Sequence, residues 1–126
     1  FTSPFTVYRV EGIPNTRIAI GPAGEVTVVG SQMLFLNFGN RARAEEFLAK
    51  RIQQRMPGTT VKTFEVPRWF LDELRAIAVR ESLSRQYPNN PLKVDVTKAP
   101  DQYGLRPIQI DSLRKVIIPY SGREGP

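Results

Sequence analysis

Histidine and cysteine are both missing from this chain of 126 residues. Without histidine there is no Ser-His-Asp or Cys-His catalysis, no histidine-ligated zinc and no imidazole acid–base chemistry. Without cysteine there are no disulfides, thiolate nucleophiles, zinc fingers or iron–sulfur clusters. No apolar run approaches the roughly 20 residues of a membrane-spanning helix. The opening residues lack the basic start and apolar centre of a signal peptide. An initiator Met is also lacking, which points to a fragment of something longer.

What is present is ordinary in amount and unusual in sign. Hydrophobic residues make up 40% and charged residues 24%, enough for one cored domain and too short a chain for two. The 18 basic and 12 acidic residues leave a net charge of +6. Arginine dominates the basic set, and arginine favours bidentate contacts to phosphate and carboxylate. A polyanion such as RNA, a diphosphate-bearing ligand or an acidic protein all suit such a surface. Any chemistry falls to Arg, Lys, carboxylates, amides, hydroxyls or a bound cofactor, with no metal.

Periodicity predicts strands at 5–10, 17–20 and 25–29, the last two forming a hairpin around Gly21, Pro22, Ala23 and Gly24. A nearly continuous apolar run at 33–38 reads as a strand buried on both sides. Helices are predicted near 41–56 and 67–83. In the first, Ala44, Phe47, Leu48 and Ile52 form the apolar stripe behind an Asn40 cap. In the second, Phe70, Leu71, Leu74, Ile77 and Ala78 face inward. A strand at 61–66 lies between them. A short strand at 93–96, an irregular segment at 99–105, a helical turn near 111–115 and a last strand at 116–118 complete the chain. Residues 1–4 and 121–126 read as tails of a single domain spanning 1–126. The order of elements excludes a doubly wound sheet and predicts an α+β domain of two packed, mostly antiparallel sheets with flanking helices.

Three constellations carry polar groups at strand ends. Arg9 shares a face with Phe5 and Val7, and a charge on an apolar face needs acceptors or an anion. Asn37, Phe38 and Gly39 close a buried strand just before a helix N-terminus, a place suited to phosphates and amides. Asp101, Gln102, Tyr103, Gly104 and Leu105 combine an amide, an aromatic and a glycine late in the chain.

In this order the three constellations resemble the ADP-ribosyltransferase superfamily. Its opening aromatic–arginine pair is matched by Tyr8 and Arg9. Its second motif is matched by Phe35 to Gly39 followed by Ala44 and Phe47, and its strand ending in Val-Pro by Val66 and Pro67. Its late acid or amide is matched by Gln102. The resemblance covers about residues 5–118 and is similar to the C-terminal toxin domains of bacterial Rhs and contact-dependent-inhibition proteins. It implies an NAD-consuming toxin that passes ADP-ribose to a macromolecule of the translation machinery. It also implies Arg9 and Gln102 as catalytic residues. Arg9, Tyr8, Asn37, Phe38, Gly39 and Tyr103 would hold NAD, with Tyr103 or Phe38 stacking on nicotinamide. A cognate acidic immunity protein, a monomeric state and delivery from a producer into the target-cell cytoplasm follow from the same likeness. The chain departs from the family where Asn37, Phe38 and Gly39 replace Ser-Thr-Ser, and where Gln102 replaces a glutamate. These departures leave open NAD hydrolysis, or a site built on Glu65 or Glu81. Two readings lie outside the resemblance. One is a basic RNA- or protein-binding module with Arg41, Arg51 and Arg55 on the solvent face of the first helix. The other is a metal-independent RNase.

Overall fold

The computed structural model describes residues 4–12, 16–55, 58–94, 96–97 and 101–125. Residues 99–100 of the expected irregular segment and residue 95 of the strand expected at 93–96 lie outside them.

Strand β1 (Phe5–Glu11) runs antiparallel to β5 (Thr60–Val66) along its whole length, from Phe5↔Val66 to Glu11↔Thr60. On its other edge it meets β4 (Leu34–Phe38) only at Val7↔Phe38 and Tyr8↔Asn37. Beyond β4 lie β8 (Gln102–Leu105), β7 (Leu92–Lys93) and β6 (Val79–Arg80), while β9 (Arg123–Gly125) flanks β5. These form one open sheet of seven strands. Among the described strands only β6 and β7 pair in parallel. The expected hairpin stands apart as a two-stranded sheet of β2 (Ile18–Ile20) and β3 (Val26–Val28). The fold is therefore α+β and mostly antiparallel, with the strands divided between a main sheet and a small one.

Alternation decides the faces. In β5, Lys62, Phe64 and Val66 are buried on one side. Phe64 and Val66 join Val7, Leu36, Phe38 and Leu105 with Phe70, Leu71 and Leu74 of α2 (Arg68–Ile77), and with Ile110 and Leu113 of α3 (Pro107–Val116). Each such buried aliphatic or aromatic side chain contributes about 1.5–3 kcal/mol. Ile18 and Val28 bring the hairpin onto the same core.

Helix α1 (Arg41–Gln53) covers the opposite face at β1 and β5. It starts where Asn40 accepts the Arg43 amide at 3.0 Å. Of its expected stripe only Ala44 is fully buried, and Ile52 is exposed. The helix is short of partners on that side, so its longer apolar side chains end at a cleft rather than in a core.

Several expected boundaries move. The second helix ends at Ile77, where Ala78 turns extended (ψ 140), and β6 and a 3-10 turn at Glu81–Leu83 follow. Ile77 is correspondingly exposed. Within the expected irregular segment at 99–105, Gln102–Leu105 form β8, buried at every position and paired between β4 and β7. Of the described residues in the strand expected at 93–96, Lys93 lies in β7 while Val94 and Val96 are in no strand. The expected last strand at 116–118 is absent because α3 runs on to Val116. Its length comes from Pro107 at the first turn and from Gln109, which accepts the Arg106 amide at 2.9 Å. The expected tail at 121–126 contains β9, hydrogen-bonded to the edge of β5. Phe35 is 50% exposed, so β4 is not buried on both sides throughout. Among the described residues no helix is long and apolar enough to cross a membrane.

Candidate functional site

Because β1 and β4 pair over only two positions, they part beyond Tyr8 and Asn37, and a cleft of about 280 Å³ opens at the split. Tyr8, Asn37 and Gln102 stand in one cross-strand row, since Asn37 is opposite both Tyr8 and Gln102. Helix α1 adds Ala44, Phe47 and Arg51 to the walls, and β4 adds Phe35. The structure thus brings Arg9, Tyr8, Asn37, Gln102 and Tyr103 to one cleft.

Each of these groups is held by a definable contact. Asn37 is turned toward the start of α1, donating to the Asn40 carbonyl at 2.7 Å and accepting the Asn40 amide at 3.1 Å. Gln102 accepts from Arg43 Nε at 3.3 Å and donates to the Val94 carbonyl at 3.4 Å. Both distances sit at the long end of hydrogen bonding, so a ligand can replace these contacts at small cost. Arg43 also lies 4.2 Å over the Phe47 ring and pairs with Glu46.

Arg9 is more deeply committed. Its Nε donates to Glu11 Oε2 at 2.6 Å and its Nη1 donates to the Phe35 carbonyl at 2.9 Å. The guanidinium therefore bridges β1 to β4 just where their backbones cease to pair. Only Nη2 is left without a hydrogen bond among the described residues, so a side-on bidentate clasp of a ligand diphosphate is already half used. Arg51, expected on the solvent face, instead lines the same cleft and supplies a second cation. Arg41 and Arg55 are exposed.

Glu11 is the hub behind Arg9. It is almost fully buried and accepts from Lys62 Nζ at 2.8 Å, from Arg9, and from the amides of Arg17 (3.1 Å) and Ile18 (3.0 Å). Lys62 also donates to the Ile18 carbonyl. Burial opposes the charged carboxylate, but the hydrogen bonds from Lys62, Arg9 and the two amides outweigh it, leaving Glu11 below its ordinary pKa. Arg17 is pushed below the usual guanidinium value, first by burial and then by the charges of Arg9 and Arg114. Cations are crowded at this end of the sheet.

Three candidate residues lie elsewhere or play another part. Phe38 is in the core, with its ring against Phe70 and edge-on to Tyr103, and does not face the cleft. Gly39 lies outside the cleft too, with φ +85 and its backbone amide on the Thr6 carbonyl. Tyr103 reaches the cleft wall, but its ring is buried and its hydroxyl donates to Asp101 at 3.0 Å. Burial and then Asp101 push that phenol up to about 12. Phe35, Phe47 and Tyr8 are the cleft-lining aromatic residues that are not fully buried. Glu65 lines a separate groove of about 620 Å³ that shares Tyr8 and Ala44 with the cleft, and Glu81 is exposed on the 3-10 turn. Among the described residues no group of three or more acidic side chains is arranged to hold a metal.

Sequence reasoning missed Glu11, Lys62 and Arg51. The signal for the first two was available. Glu11 continues the alternation of Phe5, Val7 and Arg9, and Lys62 alternates with Phe64 and Val66, so both charges are directed to the buried face. Arg51 carried a signal too, since it follows Ala44 by seven residues and Phe47 by four and so falls on the helix face of the apolar stripe.

No protein-family model, curated protein or solved structure matches this chain.

Proposed function

We propose that the cleft binds NAD and transfers its ADP-ribose to a macromolecular acceptor, as a toxin domain would. The observation that carries this reading is the convergence of Arg9, Arg51, Asn37 and Gln102 with Phe35 and Phe47 where β1 and β4 part. The two guanidinium groups suit the diphosphate, the exposed rings suit nicotinamide, and the amides suit ribose hydroxyls. A volume near 280 Å³ holds part of the dinucleotide.

The chemistry asks little of the protein. The bond between ribose C1′ and nicotinamide nitrogen breaks, and its electron pair stays with nicotinamide. Nicotinamide is cationic in NAD and leaves neutral, so no general acid is needed. The acceptor's oxygen or nitrogen bonds to C1′ and releases its proton to solvent. Positive charge develops on the ribose, as in glycoside chemistry, and the Gln102 carbonyl can orient the hydroxyl beside it. Nothing in this sequence of events requires histidine or cysteine.

Hydrolysis of NAD by water is the second reading. It is favoured by one observation: Glu11 is the sole carboxylate among the described cleft-lining residues and is fully engaged. An acceptor thus finds no carboxylate base, whereas an oxocarbenium-like ribose reacts readily with water. The deciding experiment incubates the purified protein with NAD, with and without bacterial lysate. Nicotinamide release that depends on lysate, with labelled ADP-ribose appearing on a macromolecule, is expected. Release without lysate selects hydrolysis, and no release in either case removes both readings.

A further inference from the structure

We infer that Glu11 is a positioning residue, and that its buried contacts with Lys62 and the amides of Arg17 and Ile18 set the orientation in which Arg9 offers its guanidinium to an anion in the cleft. The inference rests on the reading of the cleft as a diphosphate site, and extends it to the charged groups that hold Arg9 in place.

The geometry assigns each carboxylate oxygen a task. Oε1 is fixed by Lys62 Nζ, at 2.8 Å, and by the Ile18 amide, at 3.0 Å. The Arg17 amide lies 3.1 Å from both oxygens. Oε2 is thereby aimed at Arg9 Nε, at 2.6 Å. With Nε so held and Nη1 on the Phe35 carbonyl, the guanidinium plane has no freedom to rotate and Nη2 keeps one direction. A flexible arginine on a cleft wall would lose side-chain entropy on binding an anion; this one has lost it on folding. Arg9 and Lys62 both pair with Glu11, and Lys62 also reaches the half-exposed Glu124 at 3.7 Å. Arg17 brings only its backbone amide to Glu11, its guanidinium being held by the carbonyls of Val29, Gln32 and Met33.

Glu11→Gln separates orientation from charge, because the two make opposite predictions. Simple electrostatics holds that removing a negative charge beside the cleft tightens anion binding. Positioning holds that it weakens binding. A glutamine amide turned toward Arg9 sets donor against donor, and one turned away leaves the Lys62 side unsatisfied. The probe is inorganic pyrophosphate, titrated at constant ionic strength. The expected result is binding by the wild type and about tenfold weaker binding by Glu11→Gln, the scale of one charge-assisted hydrogen bond. Equal or tighter binding by a folded Glu11→Gln overturns the inference.

A second measurement uses the wild type alone, so it survives a variant that does not fold. The Arg9 Nε–H resonance, assigned by its loss in Arg9→Lys, is expected to be resolved from those of exposed arginines and to persist when pyrophosphate binds. An averaged resonance, or one released from Glu11 by pyrophosphate, overturns the inference. A wild type that binds no pyrophosphate overturns the diphosphate site itself, independently of whether nicotinamide is released from NAD.

Discussion

Lys62→Met tests whether the buried charge hub holds the hairpin and β5 to β1. Methionine keeps the length and most of the volume of the lysine stem, so packing is nearly conserved. What is lost is an ammonium that donates to Glu11 at 2.8 Å and to the Ile18 carbonyl. Removing one partner of a buried pair costs about 3–5 kcal/mol when the other is stranded. Here Glu11 keeps Arg9 and two amides, so its penalty is smaller, and the Ile18 carbonyl adds about 1–3 kcal/mol if water does not reach it. Relief from desolvating the ammonium offsets part of this. The net expectation is a loss of about 2–4 kcal/mol near neutral pH, a large share of a domain's 5–15. The loss has a pH signature. Glu11 is held below its ordinary value of 4.5, so its contribution is complete above that value and disappears as pH falls through the lowered folded-state value. The gap between wild type and Lys62→Met should therefore be full at pH 7, nearly full at pH 5 and much reduced at pH 3. Urea unfolding followed by circular dichroism at these three values reads it directly. A Lys62→Met protein within about 0.5 kcal/mol of wild type at pH 7, or a gap that does not shrink at pH 3, would refute the hub as described.

Three further outcomes are expected. Arg9→Ala should raise the KM for NAD by about tenfold, near the lower end for a charge-assisted contact because only Nη2 is available, while Gln102→Ala should chiefly lower kcat; nicotinamide release measures both. Gly39→Ala should lower Tm by about 10 °C. Its Cβ would sit 2.5 Å from Phe5 Cε1 at φ +85, costing on the order of 2–3 kcal/mol, while pyrophosphate affinity of the folded fraction stays unchanged. Asp101→Asn removes the bidentate partner of Arg75 and should cost about 1 kcal/mol at pH 7. The loss should shrink in urea titrations as pH falls below 3.8, because Asp101 is held below that value chiefly by Arg75.

The chain's own pattern determined the local elements wherever one strong periodicity acted alone. Phe70, Leu71 and Leu74 marked one face of α2, Asn40 marked the start of α1, and the glycines at 21 and 24 marked the hairpin. Alternation along β1 also placed Arg9 on a buried face, and the need of a buried charge for acceptors follows from the residue type. Tertiary structure decided which acceptors it found. Glu11 lies two residues on, but Lys62 reaches the same carboxylate from β5 and the Phe35 carbonyl comes from β4, and long-range register is not written in any local window. The same limit explains β8 and β9. A segment with Asp101, Gln102 and Gly104 has weak strand propensity and becomes a buried strand because β4 and β7 offer it two hydrogen-bonding edges. Arg123 to Gly125 likewise become a strand only because β5 has a free edge. The cleft is the clearest case. It exists because β1 and β4 part after two residue pairs, and α1 packs on β1 and β5 so that the face carrying Ala44, Phe47 and Arg51 lies over the gap.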